Sequence, residues 1–323
     1  PDMQLYPILC ISAFKEKVWG GDRLKTVLGK NSADGLIGES WEISGVEGTV
    51  SQVANGFYQG KSINELIQEF QGDFVGKKVY EKYGNRFPLL FKFIDAREDL
   101  SVQLHPDDEI AGKRHNTFGK TEMWYVLDTE KDAELIIGFN QKVDKQKYLK
   151  HLEENTLETI LHREKVKPGD VFYITPGRVH AIGGGVLLAE IQQASDITYR
   201  IYDWNRPDID GKMRELHNDL AIDIIDFEDK KDYKKTYSDS QENLLVSNPY
   251  FSTTLLQLKE NLHRNLEEID SFVVYMCVSG EGSLLAGGVA EKFVTGQSIL
   301  IPATVKAIEL HTQNAKLLEV FVP

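Results

Sequence analysis

The chain has 323 residues, of which 41% are hydrophobic and 27% charged, so it can enclose a substantial core in one elaborated domain or in two. Its 37 basic and 50 acidic residues give a net charge of -13, which disfavours a general nucleic-acid surface and means that an anionic substrate needs a local cationic pocket. No run approaches the roughly 20 apolar residues of a membrane helix. The two cysteines, Cys10 and Cys277, are far apart in the sequence, which fits a reducing compartment without excluding a disulfide. We therefore expect a cytoplasmic protein.

The first part of the chain predicts sheet, followed by a helical stretch. Residues 5–60 are short β-type runs broken by glycine, among them VWGG and GESWEIS. At the start of residues 62–83, Ser62 is placed to cap a helix and Glu65 follows three positions later, which is the capping-box pattern. We therefore expect one helix here, or two that break near Gly72.

A buried strand that contains one lysine is predicted next. Residues 87–94, FPLLFKFI, are almost continuously apolar and are interrupted only by Lys92. The lysine either lies at an edge, where its stem packs and its ammonium reaches water, or contacts an anion inside a site. The sequence leaves both interpretations open.

The stretch of residues 100–125, LSVQLHPDDEIAGKRHNTFGKTEMWY, carries the strongest functional signal. Gln103 and His105 are two apart in a strand-like run, so their side chains leave the same face. Glu122 opens a second strand-like run, at a position that is normally apolar. A second imidazole, His180, follows a turn in PGDVFYITPGRVHAIGGG. Two imidazoles and a carboxylate on neighbouring strands suit a divalent transition metal, zinc by softness or iron as the alternative.

A mixed ligand set of this kind indicates a catalytic rather than a structural metal. Structural zinc is usually enclosed by cysteines, and the motif contains none. Arg200 lies in a later run with three aromatic residues. It is either a surface cation–π partner or, beside a metal, a guanidinium that binds phosphate or an enediolate oxygen.

Strands and helices alternate along the rest of the N-terminal part. Strands are predicted at residues 133–139 and 186–192, and helices at residues 144–162 and 216–227. Residues 226–243 are charged and almost free of aliphatic side chains, which predicts a linker or an extended crossing between two domains.

The C-terminal part repeats the pattern around the second histidine. In PGDVFYITPGRVH and in TGQSILIPATVK, a proline precedes the key residue by four positions, His180 in the first copy and Lys306 in the second. This repeat predicts two related β-barrels or double-sheet jelly rolls. Because a protonated lysine cannot replace a histidine ligand, we expect one metal ion per chain, bound in the first barrel.

Several of these segments together resemble one enzyme family. LSVQLHPDD, GKTEMWY, VHAIGGG and EIQQASDITYRIYDW follow in the order found in type I mannose-6-phosphate isomerase, also called phosphomannose isomerase, in its short bacterial form. The resemblance covers most of the chain. It implies a mainly β fold, with a cupin-type β-barrel or jelly roll, added helices and a second, smaller cupin-like barrel at the C-terminus. We divide the chain accordingly into a metal-binding catalytic domain at residues 1–230, a charged linker at 231–245 and a C-terminal domain without metal at 246–323.

The resemblance also implies zinc-dependent interconversion of D-mannose 6-phosphate and D-fructose 6-phosphate, a reaction of mannose metabolism. Matched by motif, the zinc ligands correspond to His105, Glu122 and His180, and a fourth ligand of longer members corresponds to Gln103. The active-site arginine corresponds to Arg200. Positions of the sugar-phosphate pocket are matched by Lys92, Ser101 and Lys120, the last of which we also expect to be catalytic.

One departure from the family concerns the general base. Longer members carry a histidine beside the lysine that corresponds to Lys120, and this chain has Gly119 there. The proton that moves between C1 and C2 through an enediolate needs another carrier within about 3 Å, or one water away. The candidates are a water held by the metal, Lys120, or a carboxylate that the fold brings in.

Two other function classes stay open from the residues alone. A non-haem iron oxygenase on the same barrel would use two histidines and one carboxylate, although Gln103 and the pocket lysines weigh against it. A non-enzymatic sugar-binding or regulatory cupin would retain the metal and show no turnover. The sequence does not indicate an oligomeric state.

Overall fold

The computed structural model describes residues 4–228 and 230–323. The strands in these ranges are β1 (Ala13–Gly21), β2 (Ile37–Ile43), β3 (Leu89–Ala96), β4 (Val102–Leu104), β5 (Glu122–Thr129), β6 (Glu134–Phe139), β7 (Leu161–Lys165), β8 (Val171–Ile174), β9 (His180–Ile182), β10 (Val186–Gln193), β11 (Tyr199–Tyr202), β12 (Lys234–Lys235), β13 (Glu242–Ser247), β14 (Ser252–Leu258), β15 (Leu262–Asn265), β16 (Val273–Ala286), β17 (Val289–Val294), β18 (Ser298–Ile301) and β19 (Ala307–Phe321). The helices are α1 (Arg23–Thr26), α2 (Ile63–Phe70), α3 (Gly72–Val75), α4 (Lys77–Tyr83), α5 (Asp108–His115), α6 (Lys145–Glu153) and α7 (Asn218–Ala221), with a 3-10 helix at Leu157–Ile160.

These strands form three sheets, and the pairings between strands of the described residues are antiparallel. The first sheet has the order β1-β2-β3-β10-β5-β8-β12, and the second has the order β11-β4-β9-β6-β7. The C-terminal sheet has the order β13-β14-β19-β16-β17, and in addition β15 pairs with β19 and β18 with β16. The strand content confirms the mainly β prediction.

The first and second sheets face each other across a shared core. Trp124 and Val126 of β5 pack in one cluster with Leu135 of β6 and Ile182 of β9. Successive strand residues point to opposite faces, so the intervening residues of the first sheet, such as Met123, lie on its outer face and pack in a different cluster. The arrangement is the double-sheet architecture that the sequence predicts, and the inner faces of the two sheets are where the candidate site lies.

The outer faces of the two sheets are covered in different ways. The outer face of the first sheet packs against α2, α3 and α4 and against the C-terminal sheet, which contributes Val274 and Leu318 to the same cluster. The outer face of the second sheet packs against Tyr148 of α6 and Ala221 of α7. Within the described ranges no helix has the length and apolar character needed to cross a membrane.

The capping box predicted at residue 62 is confirmed. The Ser62 hydroxyl accepts from the Glu65 backbone N–H, and the Glu65 side chain accepts from the Ser62 N–H. The helical stretch that follows is divided into three short helices, broken at Gln71, which has a φ of 52°, and at Gly76, which has a φ of 103°. A Cβ at Gly76 would lie 2.5 Å from the Asp270 carbonyl oxygen, so glycine lets this corner approach the C-terminal domain.

Two helix predictions are wrong in extent. The helix expected over residues 144–162 ends at Glu153, because Asn155 takes a left-handed conformation with a φ of 57°. A 3-10 turn follows, and Leu161 then starts a strand that pairs with β6. The helix expected over residues 216–227 is a single turn, α7.

The C-terminal sheet starts within the stretch expected as a linker. Glu242 of β13 already pairs with Leu256 of β14, and β12 of the same stretch pairs with β8 of the first sheet. In the second copy of the repeat, Lys306 follows β18, and its ammonium donates to the Ile269 carbonyl oxygen over 2.9 Å.

Candidate functional site

Three side chains converge between the inner faces of the two N-terminal sheets. Glu122 is the first residue of β5, His180 is the first residue of β9, and His105 directly follows β4. All three residues are buried, and their potential ligand atoms lie within 4.8 Å of one another. The structure therefore brings together the three residues from which the sequence predicts a metal site.

Each histidine of this group is oriented by a backbone carbonyl. His105 Nδ1 lies 3.0 Å from the Ile197 oxygen, and His180 Nδ1 lies 2.8 Å from the Arg178 oxygen. Because a carbonyl oxygen only accepts, these contacts place the proton on Nδ1 and turn the unprotonated Nε2 towards Glu122 Oε1, at 3.6 Å for His105 and 3.1 Å for His180. This tautomer is the one in which Nε2 can bind a metal.

The polar atoms at the centre of the group fit a metal ion. Among the described residues, His105 Nε2 and Glu122 Oε2 are buried without a hydrogen-bond partner, an arrangement that costs free energy unless another group satisfies them. Burial and the charge of Lys120 lower the pKa of His105 to about 3, so its imidazole is neutral. The pKa of the Glu122 carboxyl lies well below its usual range despite the burial of the group, so this carboxyl is ionised. Neutral imidazole and ionised carboxylate are the forms that bind divalent cations.

Gln103 lies beside this group, on the same inner face. Its backbone is directly opposite His180 on β9 and opposite Arg200 on β11. The Gln103 Nε2 donates to the Ser101 carbonyl oxygen and to the Ser101 hydroxyl, over 3.1 and 3.2 Å. Its position next to the histidine is compatible with the predicted fourth ligand, which stays a prediction.

Lys92 lies in the interior of the first sheet, not at an edge. Its ammonium is 3.1 Å from Glu39 Oε1 and 3.8 Å from Glu190 Oε1, and its side chain is only 3% exposed. It also lies 4.8 Å from the centre of the Trp41 ring. The edge interpretation of this lysine is therefore wrong, and the structure places it among largely buried charges on the inner face.

Two carboxylates of the site were missed by sequence reasoning. Despite its burial, Glu39 has its pKa lowered to about 2, chiefly by Lys92. Burial, followed by the charge of Glu122, raises the pKa of Glu190 to about 8, and its Oε2 accepts from Trp124 Nε1 over 3.0 Å. In the sequence, each of these glutamates could have been identified as an acidic residue within a strand-like run, which is the pattern that identified Glu122.

The remaining predicted residues also line this region. Lys120 is only 5% exposed, and its ammonium forms no hydrogen bond or ion pair with a described residue. Arg200 Nε donates to the Ser101 hydroxyl over 3.2 Å, and Arg200 Nη1 donates to the Glu215 carbonyl oxygen over 3.2 Å. The Ser101 hydroxyl thus contacts both Arg200 and Gln103.

The structure explains why position 119 carries no side chain. A Cβ at Gly119 would lie 2.6 Å from the carbonyl carbon of Asp107 and 2.6 Å from the nitrogen of Asp108. Such distances are shorter than van der Waals contact. The segment passes directly against the first turn of α5, so a histidine could not be placed here without moving the backbone.

Two family models match the chain. Residues 8–146 match the model of the type I phosphomannose isomerase catalytic domain, and residues 241–322 match that of the mannose-6-phosphate isomerase cupin domain. The first match covers β1 to β6 of the two N-terminal sheets, and the second covers the C-terminal sheet.

Relatives match over nearly the full chain. Mannose-6-phosphate isomerase ManA of Bacillus subtilis is 37% identical over 93% of this chain and 94% of its own length. Mannose-6-phosphate isomerase of Streptococcus mutans is 33% identical over the same shares. The crystal structure of mannose 6-phosphate isomerase from Bacillus subtilis superposes with a TM-score of 0.85 and 32% identity, covering 98% of this chain and 99% of that one. A variant of phosphomannose isomerase from Salmonella typhimurium, 15% identical with a TM-score of 0.78, shares the fold.

Proposed function

The chain belongs to the type I phosphomannose isomerase family and is an isomerase of cupin fold, and from this we propose that it interconverts D-mannose 6-phosphate and D-fructose 6-phosphate with the help of one zinc ion. The observation that carries the proposal is the buried group of His105, Glu122 and His180, in which His105 Nε2 and Glu122 Oε2 lack hydrogen-bond partners among the described residues. Gln103 is proposed as an additional ligand. Two imidazoles and oxygen donors suit zinc better than harder cations such as magnesium.

Zinc bound here would polarise the carbonyl or the neighbouring hydroxyl of the sugar. It would thereby favour removal of the proton on the carbon next to the carbonyl group. The chain itself supplies cations for the charge that develops. We propose that Arg200, held by the Ser101 hydroxyl and the Glu215 carbonyl oxygen, stabilises the enediolate. Lys92, Lys120 and Ser101 are proposed to contact the sugar phosphate.

The proton transfer needs a group on the chain as well. We propose Lys120 for this role, because the residue is largely buried and its ammonium forms no hydrogen bond or ion pair with a described residue. Glu190 is the carboxylate that the fold adds to the candidates named from the sequence. It is oriented by Trp124 Nε1 and lies 3.8 Å from Lys92, so its position is fixed from two sides.

The first experiment tests reaction and metal together. Formation of fructose 6-phosphate from mannose 6-phosphate is measured by a coupled assay on native, chelator-stripped, zinc-restored and iron-restored protein. We expect turnover to be lost on stripping and regained with zinc. Folded, zinc-loaded protein without turnover would overturn the proposal and favour a sugar-binding cupin, and activity that returns only with iron would overturn the choice of metal.

A second experiment tests the role of Arg200. We expect Arg200→Ala to lower kcat about 100-fold or more while the zinc content stays unchanged, because a cation that stabilises developing charge is removed and no metal ligand is touched. Arg163→Ala is the matched control, since Arg163 forms a cation–π pair with Trp204, 5.3 Å from its ring centre. Loss of zinc from Arg200→Ala, or equal losses of activity in both variants, would contradict this role.

A further inference from the structure

The segment that carries Lys120 is anchored on both sides by side chains from other elements. The Gly119 N–H donates to Asp108 Oδ1 over 2.8 Å, and the Thr121 N–H donates to Gln193 Oε1 over 2.9 Å. The two acceptors are joined to each other, because Gln193 Nε2 donates to the same Asp108 Oδ1 over 2.8 Å. Lys120 therefore lies between two backbone groups that are held by one connected pair of side chains, which we call the 108/193 brace.

Lys120 depends on this brace more than its neighbour Glu122 does. Glu122 belongs to β5, where it pairs with Ile174 of β8 and with Gln192 of β10. Lys120 precedes the strand, and its own backbone makes one further hydrogen bond, from its N–H to the Pro106 carbonyl oxygen over 3.1 Å. A backbone hydrogen bond from the Gln193 N–H to the Thr121 carbonyl oxygen, over 3.1 Å, also holds this segment. Sheet pairing thus fixes the metal-site carboxylate, whereas the segment of the lysine is held by two backbone hydrogen bonds together with the side-chain hydrogen bonds of the brace.

The absence of a side chain at residue 119 makes the brace possible. Because Gly119 has no Cβ, its backbone can approach the start of α5 closely enough for Asp108 to accept its N–H. Gln193 at the end of β10 is 4% exposed, and both ends of its carboxamide are used in the brace. A largely buried network in which these donors and acceptors are paired is rigid.

We propose that Gln193 and Asp108 are positioning residues that hold the Lys120 ammonium in its working location. The inference rests on the proposed function, in which Lys120 contacts the substrate and transfers a proton. Since no described residue binds this ammonium, its location depends on the path of its backbone and on the packing around its largely buried side chain. A displacement of about 1 Å in a reacting group can cost up to about 100-fold in rate.

A double-mutant cycle tests the brace. Gln193→Leu keeps the approximate size of the side chain and removes both of its hydrogen bonds. We expect kcat/KM to fall about tenfold, mainly through kcat, with zinc content unchanged. In a Lys120→Ala background the same substitution is expected to have no further effect, because the group that it positions is gone. Gln257→Leu, which loses two hydrogen bonds to the carbonyl oxygens of Ser238 and Ser240, is the matched control and should retain full activity.

A second pair of variants keeps the test decisive if Gln193→Leu does not fold. Asp108→Asn retains an oxygen that can accept from both donors, and Asp108→Ala does not, so only the alanine variant should lose activity. Two results would overturn the positioning role of the brace and leave the isomerase proposal intact. One is full activity of Gln193→Leu or of Asp108→Ala. The other is an equal loss of activity from Gln193→Leu in the presence and in the absence of the Lys120 side chain. Zinc-loaded wild type without turnover would overturn the proposed function and this inference with it.

Discussion

Glu39, Lys92 and Glu190 form a row of largely buried titratable side chains on three neighbouring strands. The register sets this row, since Lys92 of β3 is directly opposite Glu190 of β10. Glu39 of β2 is opposite Ile94, two positions from Lys92 on the same face of β3. Burial disfavours the charged form of a lysine, yet the two carboxylates raise the pKa of Lys92 above its ordinary value. The lysine therefore stays charged inside the sheet.

The lowered pKa of Glu39 gives a pH dependence of stability. Its pKa falls from an ordinary 4.5 to about 2, because Lys92 and then Lys17 outweigh the effect of burial. The ionised form therefore contributes stability above about pH 4.5, and this contribution is lost as the pH falls towards 2. We expect the free energy of unfolding of the metal-free wild type to drop by on the order of 2 kcal/mol more than that of Glu39→Gln between about pH 5 and about pH 3.

Urea denaturation of both proteins at the two pH values measures this difference. The carboxamide that Glu39→Gln introduces cannot titrate, and all other carboxyl groups are present in both proteins, so the difference between the two proteins reports on Glu39. Parallel stability curves would show that Glu39 has an ordinary pKa and that Lys92 does not hold it ionised.

Among the elements, the strands were the most predictable. The apolar run around Lys92 and the run that opens with Glu122 are short, and their burial leaves a clear local pattern, which β3 and β5 confirm. The helices were less predictable. Where an amphipathic helix is followed by an amphipathic strand, as at residues 144–165, the apolar residues continue without a gap, so the sequence does not show where the helix ends. At Asn155 a single left-handed residue separates the two, and the sequence pattern did not locate this change.

The part of the candidate site that could be predicted consists of residues whose type is unusual in a strand and therefore indicates a function without knowledge of their neighbours in space. Histidines and a carboxylate in strand-like runs identified the candidate metal ligands, which the structure brings together. The partners of Lys92 were not predictable, because only the pairing of β3 with β2 and β10 brings Glu39 and Glu190 beside it. The 108/193 brace was not predictable either, since its two side chains are 85 positions apart in the chain and each belongs to a common polar type.

At the scale of the whole molecule, the C-terminal domain reaches the N-terminal domain at several points. Its Asp270 accepts the backbone N–H groups of Lys77 and Lys78 over 2.7 and 3.1 Å, and its sheet covers the outer face of the first sheet. Between β13 and β14, the hydroxyl of Tyr250 faces the Asp108 carboxylate, and burial together with that carboxylate raises the pKa of Tyr250 to about 12. The C-terminal domain therefore contacts the brace that holds the Lys120 segment.

This contact predicts an effect of a C-terminal residue on turnover. We expect Tyr250→Phe to lower kcat about threefold without loss of zinc, because Asp108 loses a hydroxyl partner and becomes freer to move away from Gly119. Tyr173→Phe is the matched control: its hydroxyl accepts from Asn248 of the C-terminal domain over 3.2 Å, so the variant removes a contact between the same two domains that does not involve Asp108. Steady-state kinetics measure kcat of both variants, and metal analysis measures their zinc content. Equal kcat values would mean that the C-terminal domain stabilises the fold without acting on the site, whereas a loss confined to Tyr250→Phe would assign it a part in positioning Lys120.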